Sequence, residues 1–165
     1  MQRFIILALI SQLLLSCGIY SFSGTSIKPD VTTISVYNIE NVAIRVNPSL
    51  SNTLTEALKE KYRRFTKLTQ QTDGGDLMLE GQITSYETAS MAVTANEMPS
   101  MTRLTVTVKI IFTDQKYPEN SFEKNFVAYE DFNATESFDS KESDLVEAIV
   151  EKLVEDIFNG TVANW

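Results

Sequence analysis

The stretch Leu77-Met-Leu-Glu-Gly-Gln-Ile-Thr84 carries the clearest β-strand pattern in this sequence, and the rest of the fold is predicted outward from it. Leu77, Leu79 and Ile83 alternate with more polar neighbours. Successive side chains of a strand point to opposite faces, so this alternation predicts one buried face and one wet face. Gly81 interrupts the pattern and is predicted to form a β-bulge.

The segment after the next loop repeats the alternation over a longer run. Its apolar positions are Leu104, Val106, Val108, Ile110 and Phe112, and its polar positions are Arg103, Thr105, Thr107 and Lys109. A strand with one apolar and one polar side is typical of an antiparallel sheet with one solvated face. Residues 114–120, which contain Pro118, predict a hairpin connection to a further, more polar strand at 122–132.

Two amphipathic helices are predicted on either side of these strands. In the first, Asn47 is the expected N-cap and Pro48 the first helical residue. About five turns follow, with an apolar stripe at Leu50, Leu54, Leu58, Phe65 and Leu68. The last helix opens within 137–140 and ends at Gly160, which is placed as a left-handed C-cap. Its stripe is Val146, Ile149, Val150, Leu153, Val154, Ile157 and Phe158.

The predicted element order is strand, helix, three strands, helix. The first strand covers residues 31–39, and residues 73–76 (DGGD) form a turn rather than a calcium loop, because the EF-hand spacing is missing. A right-handed crossover makes the first two strands parallel if they are neighbours, and short connections make the last three antiparallel. We therefore expect an α+β fold in which two amphipathic helices pack on one face of a four-stranded mixed sheet.

The N-terminus has the layout of a bacterial lipoprotein signal. Arg3 supplies a positive charge, residues 4–15 are apolar, and Leu14-Leu15-Ser16-Cys17 resembles a lipobox. Residues 1–16 are thus predicted to be cleaved, 17–29 to be a lipidated N-terminus and tether, and 30–165 to be one periplasmic domain. Cys17, the only cysteine, would carry a diacylglycerol and an N-acyl chain. An ordinary signal peptide with a stray cysteine is the alternative.

Composition excludes several classes of function. The formal charge of -8 argues against nucleic acid as a partner, because phosphate backbones are bound through clustered Lys and Arg. The sequence has no histidine, so the common nucleophile–base pairs and zinc ligand sets cannot be assembled. Paired carboxylates remain chemically feasible, but most acidic residues fall on a helix face or in turns. We predict no enzymatic activity, no metal and no cofactor beyond the acyl chains.

Several short segments, in this order and spacing, resemble the lipopolysaccharide-assembly lipoprotein family LptE, in its divergent non-enterobacterial branch. The segments are Cys17–Gly24, Asn47–Leu50, Gly74–Leu77 with Glu80–Gly81, Arg103–Val106, Val154–Phe158 and Asn164–Trp165. The resemblance implies an outer-membrane lipoprotein that sits inside, and helps to fold, the large β-barrel LptD, through which lipopolysaccharide reaches the cell surface. A generic envelope scaffold and a periplasmic carrier of an apolar ligand are the alternatives.

Two sets of side chains are candidates for contacts. Those for lipopolysaccharide phosphate are the cluster near the end of the first helix, Lys59, Lys61, Arg63, Arg64 and Lys67, and the weaker pair Arg103 and Lys109. The alternative for the cluster is a solvated helix terminus whose cations suit the negative end of the dipole. The long loop 88–101, with Met91, Met98 and Met101, is a candidate contact for lipid or barrel, or a loop tip without a contact.

Overall fold

The computed structural model of the chain describes residues 27–45, 47–91 and 101–162. The predicted signal peptide, Cys17 and Met98 lie outside the described residues. Within them, the strands are β1 (Thr33–Val36), β2 (Glu40–Asn41), β3 (Thr69–Gln71), β4 (Leu77–Met91), β5 (Met101–Asp114) and β6 (Phe122–Asn133). The helices are α1 (Leu50–Phe65) and α2 (Phe138–Val162), and a short 3-10 turn covers Pro118–Asn120.

The sheet confirms the predicted α+β class and strand directions but has six strands rather than four. Its order is β3-β1-β4-β5-β6, and β2 also pairs with β4. The β1–β4 pair is parallel, and β4, β5 and β6 form an antiparallel meander. The two unpredicted strands, β2 and β3, have only two and three residues, and β3 is fully exposed. Strands so short show no alternation that a sequence pattern can reveal.

Both helices cover the same face of the sheet, and one continuous apolar core lies between the helices and that face. Leu104, Val106, Val108 and Ile110 of β5 are completely buried there, as are Ile149 and Leu153 of α2. The predicted apolar faces of β5 and α2 are therefore confirmed.

The predicted bulge in β4 is real but lies elsewhere. The β4–β5 register shifts between Ile83 and Ser85, not at Gly81. The shift moves the buried face from odd to even positions, so Tyr86 is only 1% exposed. Gly81 has a different reason to be small: a Cβ there would lie 2.8 Å from Cδ1 of Ile110 and 3.1 Å from a backbone oxygen.

The long loop predicted at 88–101 is shorter than expected, because β4 continues to Met91 and β5 begins at Met101. Thr88 pairs with Leu104, and Met91 pairs with Met101. The two strands thus form a long hairpin whose connecting residues, 92–100, are not described.

Helix α1 begins two residues later than predicted, with Ser49 rather than Asn47 at the N-cap. Asn47 still caps from outside: its Oδ1 accepts hydrogen bonds from the backbone N–H groups of Ser49 (3.0 Å) and Leu50 (3.1 Å). At the other end, Leu68 lies beyond the helix and Phe65 is 57% exposed. Tyr62 follows Leu58 by four residues and so lies on the same face of the helix, and it is this residue that is fully buried in the core.

Helix α2 continues through Gly160 to Val162, so Gly160 is not the left-handed C-cap that the sequence predicted. Gly74 is the one described residue with a positive φ, +70°. At Gly160 a Cβ would lie 3.1 Å from the ring of Phe126. The glycine therefore lets the edge strand β6 pack closely against the helix.

Residues 73–76 (DGGD) connect β3 to β4, as the predicted turn should, and they also hold the start of β4 against β1. Asp76 accepts hydrogen bonds from the backbone N–H groups of Thr32 (2.8 Å) and Thr33 (3.1 Å), and Lys116 lies 3.1 Å away. These donors hold the pKa of the Asp76 carboxyl well below its usual value, the Thr32 bond contributing most. Gly75 is buried so close to β1 that a Cβ would lie 2.7 Å from the backbone nitrogen of Ser35.

Candidate functional site

The sheet face that the helices leave uncovered is the first candidate site. We call it the open face and define it by Arg103, Thr105, Thr107, Lys109 and Ile111 of β5 and Glu123, Val127, Tyr129 and Asp131 of β6. Thr105 lies opposite Tyr129, and Thr107 lies opposite Val127. Val127 and Tyr129 are about half exposed, at 52% and 46%, and the two threonines are partly buried. The centre of this face is therefore uncharged and moderately apolar.

The charged side chains of the open face are paired with one another. Arg103 donates two hydrogen bonds to Asp131, at 2.7 and 2.9 Å, and its guanidinium stacks 3.7 Å from the centre of the Tyr129 ring. The Arg103 bonds hold the pKa of the Asp131 carboxyl below its usual value. Lys109 lies 2.6 Å from Glu123. The structure thus places both predicted phosphate contacts, Arg103 and Lys109, on one face, each neutralised by a carboxylate of β6.

The basic cluster of α1 divides into two groups. Lys59 pairs with Glu56 at 2.8 Å, and Lys61 pairs with Glu155 of α2, lowering the pKa of that carboxyl. Both cations are therefore ion-paired, and the Lys61–Glu155 pair links α1 to α2. Lys61 also lies 4.3 Å from the centre of the Phe65 ring.

The other three cations of the cluster lie at the end of α1. Arg63 and Arg64 share the single carboxylate of Glu60, and the side chains of both arginines are 70% exposed. Lys67 is exposed and forms no ion pair within the described part of the chain. The structure thus brings together Arg63, Arg64 and Lys67 as a group with a net positive charge, whereas Lys59 and Lys61 are each paired with a carboxylate of their own.

A polar network that the sequence did not reveal ties both helices to β4. The carboxylate of Glu142 accepts hydrogen bonds from the Tyr86 hydroxyl (2.6 Å) and from Nδ2 of Asn47 (2.9 Å). The Tyr86 bond is the main reason that the pKa of Glu142 is lowered, and burial raises the pKa of Tyr86. In the sequence, the only sign of this network is Tyr86, an aromatic residue at an even position in a strand whose apolar residues before it, Leu77, Leu79 and Ile83, are at odd positions.

The methionines of the long hairpin are only partly placed. Met91 ends β4 and is 36% exposed, and Met101 opposite it is partly buried. Met98 lies outside the described residues. In residues 27–45, 47–91 and 101–162 there is no group of three or more Asp, Glu, His or Cys side chains that could hold a metal ion. Neither described helix is long and apolar enough to cross a membrane.

These features define an α+β domain whose candidate site is a surface rather than a cleft. Residues 31–160 match the model of one protein family, LptE, described as lipopolysaccharide-assembly. The match runs from the residues before β1 almost to the end of α2, and the chain therefore belongs to the LptE family. The LptE family is one of non-catalytic lipoproteins, so membership supports an envelope location and, at the level of the family, a role in lipopolysaccharide assembly. No curated protein matches the sequence.

Solved structures share this fold at low sequence identity. The hypothetical protein CT253 from Chlamydia trachomatis matches with a TM-score of 0.54 and 8% identity over 81% of this chain and 99% of that one. A minor lipoprotein from Acinetobacter baumannii gives 0.50 and 13% over 77% and 89%. The rare lipoprotein B from Shewanella oneidensis gives 0.50 and 11% over 78% and 90%. At these identities the likeness shows the fold alone.

Proposed function

We propose that this protein is an outer-membrane lipoprotein that plugs an LptD-type β-barrel and assists its assembly, so that lipopolysaccharide can reach the cell surface. The observation that carries the proposal is the family match over residues 31–160, which includes every strand and nearly all of α2. In this function the protein is non-catalytic. Its partners are the barrel and the membrane, with lipopolysaccharide as a further candidate.

The open face is the surface that we assign to the barrel. A side chain that moves from water to a protein contact loses hydration, which is costly for an unpaired charge and mild for Thr, Val or Tyr. Here the central positions are Thr105, Thr107, Val127 and Tyr129, and the flanking charges are already paired. The β5–β6 part of this face can be covered without leaving an isolated charge buried, and the contact should leave Glu87 of β4, which lies opposite Thr105, in water.

The anchor in this proposal is Cys17. A diacylglycerol and an N-acyl chain there would fix the domain to the membrane, because several acyl chains together bind far more strongly than one. Cys17→Ala should give unlipidated protein, either retained as precursor or released as soluble material. A signal peptidase II inhibitor should likewise accumulate the precursor. Normal processing and membrane attachment of the variant would show that the lipobox interpretation is wrong.

The central experiment is depletion of the protein followed by measurement of the barrel and of surface lipopolysaccharide. We expect less correctly assembled barrel and less surface lipopolysaccharide, with precursor accumulating on the periplasmic side. Unchanged levels of both would favour the generic scaffold instead.

A matched pair of variants tests the open face directly. Thr107→Lys with Val127→Lys places two charges at opposed positions of the face, and co-purification with the barrel should fall sharply. Asn52→Lys with Thr53→Lys makes the same charge change at exposed positions of α1 and should retain more of the complex. Equal retention by both variants would assign the barrel contact to another surface.

Direct contact with lipopolysaccharide phosphate stays a prediction. Arg63→Glu with Arg64→Glu should remove lipopolysaccharide from the purified complex while the barrel stays bound. A carrier that holds its apolar ligand between the helices and the sheet finds less support, because the cavity between the end of α2 and the sheet measures about 220 Å³. Small-molecule sites usually begin at roughly 300 Å³.

A further inference from the structure

A groove of about 510 Å³ opens where the chain enters the domain, between residues 27–32 and the C-terminal end of α1. We call it the tether groove. Its apolar lining includes Ile27, Val31, Leu68 and Phe65. Phe65 leaves 57% of its surface exposed although it sits beside this apolar lining. A large exposed aromatic residue beside an apolar groove is typical of a contact with another molecule or a lipid surface.

The polar lining of the tether groove is cationic. Lys28, Arg64 and Lys67 all line it, and none of the described lining residues is acidic. Arg64 shares Glu60 with Arg63, so among the described residues these two guanidinium groups have a single carboxylate between them. The Lys28 ammonium lies 3.3 Å from the centre of the Tyr117 ring, which leaves Arg64 and Lys67 as the more available cations. The groove therefore suits a molecule that is both anionic and apolar.

The length of the tether limits what the groove can meet. Ile27 comes ten positions after Cys17, and a fully extended chain spans at most about 3.3–3.6 Å per residue. With Cys17 lipidated, the groove stays within roughly 35 Å of the membrane that holds the acyl chains. Tethering at such a distance keeps the local concentration of headgroups high, so that even weak individual contacts are occupied.

We propose that the tether groove binds the phosphate headgroup of an anionic phospholipid in the membrane that holds Cys17. Arg64 and Lys67 contact the phosphate, and Phe65 enters the interfacial layer beside it. The proposal rests on the anchor at Cys17. It also orients the molecule: the end of α1 faces the membrane, and the loop before the start of α1, with the fully exposed Ile44, points away.

The test uses the full lipidated protein, purified from membranes and reconstituted into vesicles. Trp165 is the sole tryptophan, so the background is Trp165→Phe, with a new reporter at Phe65→Trp or, as the distant control, Ile44→Trp. Quenching by lipids brominated near the headgroup is compared in phosphatidylcholine vesicles with and without phosphatidylglycerol. We expect strong quenching at position 65 only with phosphatidylglycerol, little at position 44, and a decline with added salt.

Charge variants then test the cations. Arg64→Glu with Lys67→Glu should reduce quenching at position 65 to the level of position 44, because each cation near an anionic surface strengthens partition about fivefold. Lys124→Glu with Lys141→Glu is the matched control: it also reverses one ion-paired and one unpaired cation among the described residues, and it should leave the signal unchanged.

Three results would overturn the proposal: quenching without phosphatidylglycerol, equal loss in both charge variants, or quenching only when lipopolysaccharide replaces phosphatidylglycerol. The last would assign the groove to lipopolysaccharide. Mass spectrometry of the same preparation separates these outcomes from failure of the anchor, since protein without acyl chains contradicts the proposed lipidation itself. Co-purification of the barrel with the Arg64 and Lys67 variant tests the proposed plug independently.

Discussion

The two faces of β5 differ completely although their residues alternate along one strand. On the face under the helices, Leu104, Val106 and Val108 are fully buried. On the open face, Thr105 and Thr107 are only partly buried, and Arg103 and Lys109 of the same strand pair with carboxylates of β6. Burial of the covered face therefore contributes the hydrophobic free energy of folding, whereas residues on the open face can be substituted with little loss of stability.

This difference separates stability from function in a testable way. Burial of an apolar side chain contributes roughly 1.5–3 kcal/mol, whereas exposed ion pairs contribute about 0–1 kcal/mol. Substitutions on the covered side should thus unfold the protein, and substitutions on the open face should change its partners.

The largest expected effect is truncation of α2 where it meets the covered face. Ile149→Ala and Leu153→Ala each remove a side chain that is completely buried. Each should lower the free energy of unfolding by about 2–5 kcal/mol, because the surrounding core cannot collapse fully into the cavity. Urea denaturation followed by circular dichroism measures the loss.

Glu151 lies between these two residues in sequence but is exposed. Glu151→Ala should therefore change the free energy of unfolding by about 0.5 kcal/mol or less. If all three variants lose the same stability, the assignment of the covered face is wrong.

The second effect tests the join between β1 and β4 at the edge of the covered face. Gly75→Ala places a methyl group against backbone atoms of Ile34, Ser35 and Leu77 at 2.7–2.9 Å. Backbone cannot move aside as a side chain can, so we expect a loss of about 1–3 kcal/mol in urea denaturation.

Gly160→Ala is the matched control. Its Cβ would meet only the ring edge of Phe126, and alanine favours the helix by about 1 kcal/mol. The net change should be smaller than that of Gly75→Ala. A greater loss at Gly160 would mean that the α2–β6 contact, rather than the β1–β4 join, is the less adaptable one.

The long periodic elements were predictable from sequence because burial imposes a pattern on each. β5 and α2 show this best, with stripes that the structure buries as expected. The bulge was predicted at Gly81 because a glycine within a strand can mark either a bulge or a place where another group comes close. At Gly81 the second reason applies, since the Ile110 side chain leaves no room for a Cβ, and the sequence does not show this contact. Gly160 was likewise taken for a C-cap although it is a position of close approach, because Phe126, the residue that approaches it, is distant in sequence.

The candidate site was predictable only in its residue types. Arg103 and Lys109 were placed correctly on the polar face of β5, but their carboxylate partners lie on another strand. Lys61 similarly pairs with Glu155 across two helices. Local spacing cannot reveal such partners, so it overstated the number of available cations. The tether groove was missed because its two walls are distant in sequence.

A third effect, expected to be on the order of 1 kcal/mol, concerns Asp76 and sharpens the account of the β1–β4 join. Its carboxylate binds Thr32 and Thr33, and its pKa is lowered in the folded state. An acid with a lowered pKa stabilises the fold above its unfolded value of about 3.9 and loses that contribution as the pH falls through the folded value. Asp76→Asn should therefore be less stable than the parent at pH 7.

The difference between the two proteins should shrink as the pH falls below about 4, because the unfolded parent then takes up a proton at Asp76 while the folded carboxylate stays ionised to a lower pH. Urea denaturation of both proteins across this range measures it. A difference that is independent of pH would show that the geometry of the asparagine, rather than the charge, explains the loss.

The smallest expected effect on stability is on the open face. Arg103 and Asp131 form two hydrogen bonds, yet about 30% of each side chain is exposed, at 28% and 33%. A double-mutant cycle of Arg103→Ala and Asp131→Ala should give a coupling of at most about 1 kcal/mol, reduced by salt. Each single variant leaves one unpaired charge on the face proposed to meet the barrel, so co-purification should fall more in the single variants than in the double variant. A coupling well above that value, with barrel binding unchanged, would make the open face a stabilising surface and remove the contrast with the covered one.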